Sequence, residues 1–319
     1  MAEMLDEIRE KGRDGLVKYM SEEAADMFLS RVDDLLEKYK VKWQLSQLSF
    51  MPTYTVNLLF CCDSALYGPC IVKMCISGPE VVTETNCLRD YDGQGYVKLW
   101  DYDLSDNVLI MERVTPGTQM WDVDDYKERA RLMGQIIKDL PFVKCEQGQY
   151  PTYKTWLEGI KSKLIDMSSK EKQHNHIKLN GVEDAIFYLN EALRIYGELK
   201  QTYNRNCLLH GDMHQENLLL NHRGGYTIID PKGVIDDPVM ETARFLLNEI
   251  PCEKEKIQEM AAIMAPIIGI PEADILKSMF IDAALSNCWT LEEYFPTQEA
   301  FYKSKHEALE GINFVYGLL

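Results

Sequence analysis

The chain has 319 residues, and 34 Lys+Arg against 51 Asp+Glu give it a formal charge of −17. With 46% hydrophobic and 27% charged residues it has the balance of a soluble globular protein, long enough for two ordinary domains or one bilobed enzyme. The acid excess repels phosphate backbones, which argues against general nucleic-acid binding, and it tolerates a cationic small molecule.

No apolar stretch approaches the roughly 20 residues of a membrane span. The opening MAEMLDEIREKGRDG carries acids where a secretion signal needs a basic and then an apolar run. Nine cysteines, with Cys61 and Cys62 adjacent and no CxxC repeat, point to reduced thiols. A cytoplasmic protein is expected.

Residues 3–40 have helical spacing of apolar positions such as Leu29, Val32, Leu35 and Leu36, and Ser21 before Glu22 and Glu23 marks a helix start. Strands are predicted at 54–62 and 70–76, flanking a turn at Asp63–Pro69, followed by a helix at 79–91 that opens with Pro79. Turn residues at Asp92–Gly95 precede strands at 96–101 and 107–112. A boundary is expected at Val114–Gly117, dividing 1–114, with 1–45 as an extra helical segment, from 115–319. Beyond it the spacing predicts helices at 124–139, 152–168, 181–200, 239–249, 253–266 and 272–294. A short β region at 217–230 interrupts them, and a polar loop spans 169–180. The resulting class is α+β, a small antiparallel-sheet lobe followed by a larger, mainly helical lobe, with a cleft expected between them.

The chemistry concentrates in LLHGDMHQENLLLNHRGGYTIIDPKG, residues 208–233. Asp212 and Asn217 have the aspartate-to-asparagine spacing of a kinase catalytic loop, and a strand delivers Asp230 thirteen residues after Asn217. Phosphoryl transfer needs a carboxylate at the attacking hydroxyl and hard oxygen ligands for Mg²⁺ on the nucleotide phosphates. Asp212 suits the first task, Asn217 and Asp230 the second. His210 reads as a brace for the loop rather than a proton carrier. His214 either lines the acceptor site or faces the loop interior. Lys232 either neutralises phosphate charge or pairs with Asp236 or Asp237.

On these residues the sequence resembles the aminoglycoside phosphotransferase family of the protein-kinase-like fold, in its streptomycin kinase and hydroxyurea-resistance branch. The resemblance rests on His210-Gly211-Asp212-Met213-His214-Gln215-Glu216-Asn217, Ile229-Asp230-Pro231-Lys232-Gly233, Asp236-Asp237-Pro238 with Glu241, and Trp289-Thr290-Leu291-Glu292-Glu293. It is specific over 208–250 and continuous from about 50 to 295. The resemblance implies a bilobal kinase fold using Mg²⁺ and ATP or GTP. Lys73, on the strand at 70–76, would grip the phosphates, with Glu84 as its ion-pair partner and Glu80 the fallback. Glu112 and Val114 would meet the base through main-chain groups, and residues 1–114 would form the nucleotide-binding lobe. The acceptor would be a small hydroxyl compound, cationic and streptomycin-like, held by His214, Asp236, Asp237, Trp289 and Glu292 through charge and cation–π contact. Two alternatives remain open: a metabolic kinase acting on a sugar, amino alcohol or thioribose, and a catalytically inactive nucleotide-binding module.

Two features depart from that pattern or carry no chemistry. Ser49–Cys62 contains no glycine, so the phosphate cover is expected from Tyr54, Thr55 or Asn57. His174 and His176 read as solvated, and Cys61, Cys62, Cys70 and Cys75 lack zinc-ligand spacing.

Overall fold

The computed structural model describes residues 2–18, 20–52, 57–144, 148–173, 182–249, 251–294 and 298–319, with the backbone alone at 2–3, 168, 170–173, 292–294 and 298–306. Tyr54, Thr55, His174 and His176 lie outside the described residues, as does the side chain of Glu292. Contacts divide the chain into two compact units. One comprises Met1–Thr118 with Leu219–Asp230, the other Gln119–Leu218 with Pro231–Leu319. Against the single break expected at 114/115, the hairpin at 219–230 is grouped with the first unit.

In the first unit α1 (Ala2–Glu7), a wide helical turn at Ile8–Gly12 and α2 (Arg13–Leu16) run on from one another, followed by α3 (Glu22–Leu29) and α4 (Val32–Lys42). The helix expected over 3–40 is therefore broken, and the Ser21 hydroxyl restarts it by accepting from the Ala24 amide at 3.2 Å. The strands β1 (Leu45–Met51), β2 (Leu58–Ser64) and β3 (Gly68–Met74), the helix α5 (Pro79–Tyr91), and β4 (Leu99–Asp103) and β5 (Val108–Glu112) complete an antiparallel sheet in the order β1-β2-β3-β5-β4. The strictly alternating burial of β2 explains its strand state. β1 escapes prediction because Gln47 has φ +53° and the register slips between Ser46 and Ser49, which destroys the alternation.

Residues 1–45 turn out to close this sheet. Leu35, Leu36 and Tyr39 of α4, with Trp43 just beyond it, pack on Phe60, Val72 and Ile110. Each such side chain contributes about 1.5–3 kcal/mol by leaving water. Their polar tips are also satisfied: Trp43 Nε1 donates to Asp101 at 2.7 Å and the Tyr39 hydroxyl to Asp106 at 2.9 Å.

The chain continues through β6 (Pro116–Gln119), α6 (Tyr126–Asp139), α7 (Tyr153–Gln173), α8 (Val182–Thr202), β7 (Cys207–Leu209), β8 (Leu218–Asn221), β9 (Tyr226–Ile228) and β10 (Val234–Asp236). α9 (Ala243–Leu247), α10 (Lys254–Ile268), α11 (Glu272–Tyr294) and α12 (Gln298–Tyr316) follow. β6, β8 and β9 form a small sheet in the order β6-β8-β9. The helix expected at 239–249 is a tight turn, Pro238–Thr242, before the short α9, because Asp237 caps it through Val239 N at 3.1 Å and Pro238 lacks an amide hydrogen. α11 is buried around most of its circumference, with Met279, Phe280, Ala284 and Leu285 inaccessible, and forms the spine of the second unit. In the same unit β7 pairs antiparallel with β10, Leu209 opposite Val234, so the loop containing Asp212 leaves from a rigid ribbon.

Candidate active site

In the first unit Lys73 lies on β3, opposite Leu59 on one neighbour and Leu109 on the other. It is 5% exposed, which for an ammonium demands a partner. Nζ donates to Glu84 Oε1 at 2.6 Å and also to Asp230 Oδ1. Glu84, not Glu80, is therefore the partner on α5. Burial works against the Lys73 charge, but the Asp230 and Glu84 carboxylates outweigh it and hold the ammonium protonated well above the usual range. Burial pushes the Glu84 carboxyl up to about 7, although Lys73 pulls the other way. Asp230, half exposed, follows β9 in a left-handed conformation, φ +58°, which a short polar side chain tolerates.

Glu112 ends β5, and its amide donates to Lys98 O at 2.9 Å. This amide is thus engaged by the residue just before β4. Val114 lies just before β6, in which Gly117 has φ +78°, and a Cβ there would stand 2.9 Å from the Val114 carbonyl oxygen.

In the second unit His210 emerges from β7 fully buried. Its carbonyl accepts from Lys232 N at 2.9 Å and Gly233 N at 3.1 Å, closing the two ends of the loop on each other. Its ring Nδ1 accepts from Asp212 N at 3.0 Å, which assigns the neutral tautomer with the proton on Nε2. This is the geometry of a brace. Beneath it the Glu241 carboxylate accepts from His210 N at 3.2 Å and Gly211 N at 3.0 Å. Burial pushes the Glu241 carboxyl up to about 7, the two amides opposing it. Gly211 is required twice over: its φ is +77°, and a Cβ would meet Val234 Cγ1 at 2.8 Å and Trp156 Cη2 at 3.0 Å.

The Asp212 carboxylate, partly exposed, lies between Arg244 Nε, 3.3 Å from Oδ1, and Lys232 Nζ, 3.8 Å from Oδ2. Burial would raise its pKa, but Arg244 first and then Lys232 and the two histidines outweigh burial and lower it, so it stays ionised. Asn217 donates through Nδ2 to the Asp212 carbonyl at 3.0 Å, and Nδ2 is also 3.1 Å from His214 Nε2. The carboxamide oxygen is the end those contacts leave out. Carboxamide and carboxylate oxygens are the donors Mg²⁺ prefers. Among the described residues no group of three His, Cys, Asp or Glu could cage a metal by itself.

The remaining acceptor candidates are placed differently from expectation. Asp236 and Asp237 are each 1% exposed. Asp236 accepts from the Tyr196 hydroxyl at 2.8 Å and Lys200 at 3.0 Å, while Asp237 accepts from Arg205 N at 3.0 Å and caps the turn that follows. Both carboxylates serve the fold and have no face for a ligand, and neither is paired with Lys232, which is directed at Asp212. Trp289 is half-buried, its ring edge-on to Trp156 with centroids 5.3 Å apart. The sequence pattern misses Arg244, Asp282 and the buried cluster of Arg129, Glu249, Lys256 and Gln215, in which Gln215 donates to Glu249 at 2.9 Å. No spacing rule joins residues so far apart in the chain.

A lysine–glutamate pair on an antiparallel sheet in one unit, and an aspartate–asparagine loop on a helical unit, define a bilobal protein-kinase-like fold. Residues 42–293 match the family model described as aminoglycoside/hydroxyurea antibiotic resistance kinase, and the chain belongs to that family. Over 239 residues it is 23% identical to a hydroxyurea phosphotransferase of Kitasatospora aureofaciens, covering 70% of this chain and 62% of that one. A streptomycin 6-kinase of Streptomyces griseus is 24% identical over 154 residues, 47% of this chain and 46% of that one. The chain thus spans less than two thirds of the length of these curated relatives. Among solved structures, the choline kinase LicA from Streptococcus pneumoniae is similar with a TM-score of 0.62 at 14% identity, covering 89% of this chain and 99% of that one.

Proposed function

We propose that the protein is a Mg²⁺-dependent phosphotransferase that moves the γ-phosphoryl group of ATP, or GTP, to a hydroxyl of a small polar, cationic acceptor of the streptomycin or aminoglycoside kind. The observation that carries this reading is the Asp212 loop. A carboxylate kept ionised by Arg244 and Lys232 stands on a loop tied down at His210, five residues before an asparagine whose amide nitrogen is turned inward. Membership in a family of antibiotic-resistance kinases supports the reaction class.

Asp212 would accept a hydrogen bond from the acceptor hydroxyl, aim its oxygen at phosphorus, and take its proton as the bond forms. Asn217 and Asp230 would hold magnesium, which neutralises charge on the nucleotide phosphates. Lys73, kept extended by Glu84, would bind those phosphates, so its contact with Asp230 is exchanged when nucleotide arrives. Main-chain groups of Glu112 and Val114 would receive the base. His214, Trp289 and Glu292 remain the acceptor-side candidates, while Asp236 and Asp237 drop out on burial. The substrate is a small molecule rather than nucleic acid. No helix among the described residues is long and apolar enough to cross a membrane. None of the described cysteines is in a disulfide.

The test is consumption of Mg·ATP and Mg·GTP by the purified protein over streptomycin, other aminoglycosides, hydroxyurea, choline, methylthioribose and homoserine, with Asp212→Asn in parallel. Turnover on streptomycin that falls by on the order of 10²–10⁴ in the variant supports the reading. Full activity in Asp212→Asn refutes the assignment of the base. Turnover confined to choline or thioribose moves the acceptor to metabolism and leaves the base in place.

A further inference from the structure

We propose that Arg244 is a positioning residue that holds the Asp212 carboxylate in its reactive orientation and is itself braced by Asp282. The inference rests on Asp212 being the base of the proposed reaction.

Asp282 sits on α11 with its side chain 1% exposed. A carboxylate in such a place costs several kcal/mol unless a cation answers it. Arg244, at the start of α9, provides that cation: Nη2 donates to Asp282 Oδ1 at 3.2 Å and Nε lies 2.8 Å from Oδ2. The same Nε is 3.3 Å from Asp212 Oδ1. Nη2 is aligned as a hydrogen bond, whereas Nε, though close to both carboxylates, is aligned with neither. That N–H therefore remains available to tighten on Asp212. One planar guanidinium thus touches two carboxylates from separate parts of the chain, a task its rigid fork performs and a lysine ammonium does not.

A tie between α9 and α11 would need only Arg244 and Asp282. The third member, Asp212, has no packing reason to be there. Its Oδ1 faces Arg244 at 3.3 Å and its Oδ2 is 3.8 Å from Lys232, so the arginine is the nearer cation and stands at one oxygen, leaving the other for a hydroxyl. This is the arrangement of a reactive group, an orienting group and a buried brace behind it, which recurs wherever a side chain must be held in one rotamer for chemistry. Arg244 touches no reacting atom in this scheme and acts only through Asp212.

The experiment compares wild type, Arg244→Lys, Arg244→Gln, Asp282→Asn and Asp212→Asn. Each is assayed for Mg·ATP turnover with streptomycin and with water as acceptor, for thermal midpoint, and for the Asp212 side-chain rotamer in crystals of wild type and Arg244→Gln. The expected result is a kcat loss on the order of 10²-fold in Arg244→Gln with KM for Mg·ATP within about twofold of wild type, because the nucleotide does not meet the arginine. Arg244→Lys should lose less, and added guanidinium ion at millimolar concentration should restore part of the Arg244→Gln rate without changing the thermal midpoint. The Asp212 carboxylate should occupy a different rotamer in the variant crystal. Asp282→Asn should fall between wild type and Arg244→Gln. An Asp212 rotamer unchanged in Arg244→Gln overturns the inference whatever the acceptor is. Full kcat in that variant beside an inactive Asp212→Asn overturns it while sparing the proposed reaction. Full activity in Asp212→Asn removes the reaction assignment instead.

Discussion

Replacing Gly211 by alanine tests the architecture of the catalytic loop without touching a charge. A side chain at φ +77° costs roughly 1 kcal/mol relative to glycine. The new methyl would also stand 2.8 Å from Val234 Cγ1 and 3.0 Å from Trp156 Cη2, both inside normal contact. Val234 is inaccessible on β10 and pairs with Leu209, so it cannot swing away without disturbing the ribbon. Overpacking of that kind costs about 1–3 kcal/mol. The sum is a destabilisation of about 2–4 kcal/mol, read as a shift in the urea midpoint of the second unit by tryptophan fluorescence. Val234→Ala removes the closer clash and leaves the conformational cost and the Trp156 contact. Against that background Gly211→Ala should cost about 1 kcal/mol less, a coupling a double-mutant cycle resolves. A Gly211→Ala protein within about 0.5 kcal/mol of wild type, or a cost unchanged by Val234→Ala, would refute the steric account of this glycine.

Three further outcomes follow from the buried charges. Burial pushes the Glu241 carboxyl from the usual 4.5 up to about 7, so the folded state binds its proton more tightly. Its contribution to stability is complete below pH 4.5, declines as pH rises through about 7, and amounts to ~1–3 kcal/mol; Glu241→Gln should flatten that slope in pH-dependent melting. Lys73→Met leaves the buried Glu84 carboxyl without its cation and should destabilise the first unit by about 3 kcal/mol, whereas Lys73→Met with Glu84→Gln should recover much of the loss in the same denaturation assay. Glu249 is inaccessible and answers both Arg129 and Lys256, so Glu249→Ala should cost about 3–5 kcal/mol and loosen Gln215, visible as faster hydrogen exchange at residues 215–217.

How much of this was legible in the sequence depends on whether a feature is local. The Asp212–Asn217 spacing and the strand bearing Lys73 are set by one loop and one strand, each with its own pattern, while the choice of Glu84 over Glu80 as partner comes from the family resemblance. β1 was not legible, since a slip in register and a positive φ at Gln47 erase the period-two signal. The first 45 residues show amphipathic helices without saying what they cover, because their partner face on Phe60 and Val72 is assembled from strands far along the chain. Asp236 and Asp237 illustrate the opposite error. An acidic pair near a catalytic motif looks like a cation site, yet Tyr196, Lys200 and Arg205 reach them from α8 and the segment after it. Arg244 and Asp282 were invisible for the same reason: a residue 32 positions from Asp212 and another 38 beyond it meet only after α11 packs on α9.

These contacts also bear on how an acidic protein would receive the cationic acceptor proposed above. Around Asp212 the described charges are Arg244 and Lys232 against Asp212, Asp282 and the buried Glu241, with Asp282 facing Arg244 and Glu241 engaged by the His210 and Gly211 amides. The net charge of −17 acts over a Debye length of about 8 Å at physiological salt, so it raises encounter rates and is weak as a source of fixed orientation. On the proposed reading, orientation would come from close contacts away from the base, and the half-buried Trp289 ring, edge-on to Trp156 beside Gly211, is the candidate for cation–π attraction. Recognition and chemistry are then separated. A cation held at the indole would leave the Asp212 carboxylate to the hydroxyl alone, as the proposed role of Arg244 requires, since an acceptor ammonium pairing directly with Asp212 would compete with the arginine for the oxygen it faces.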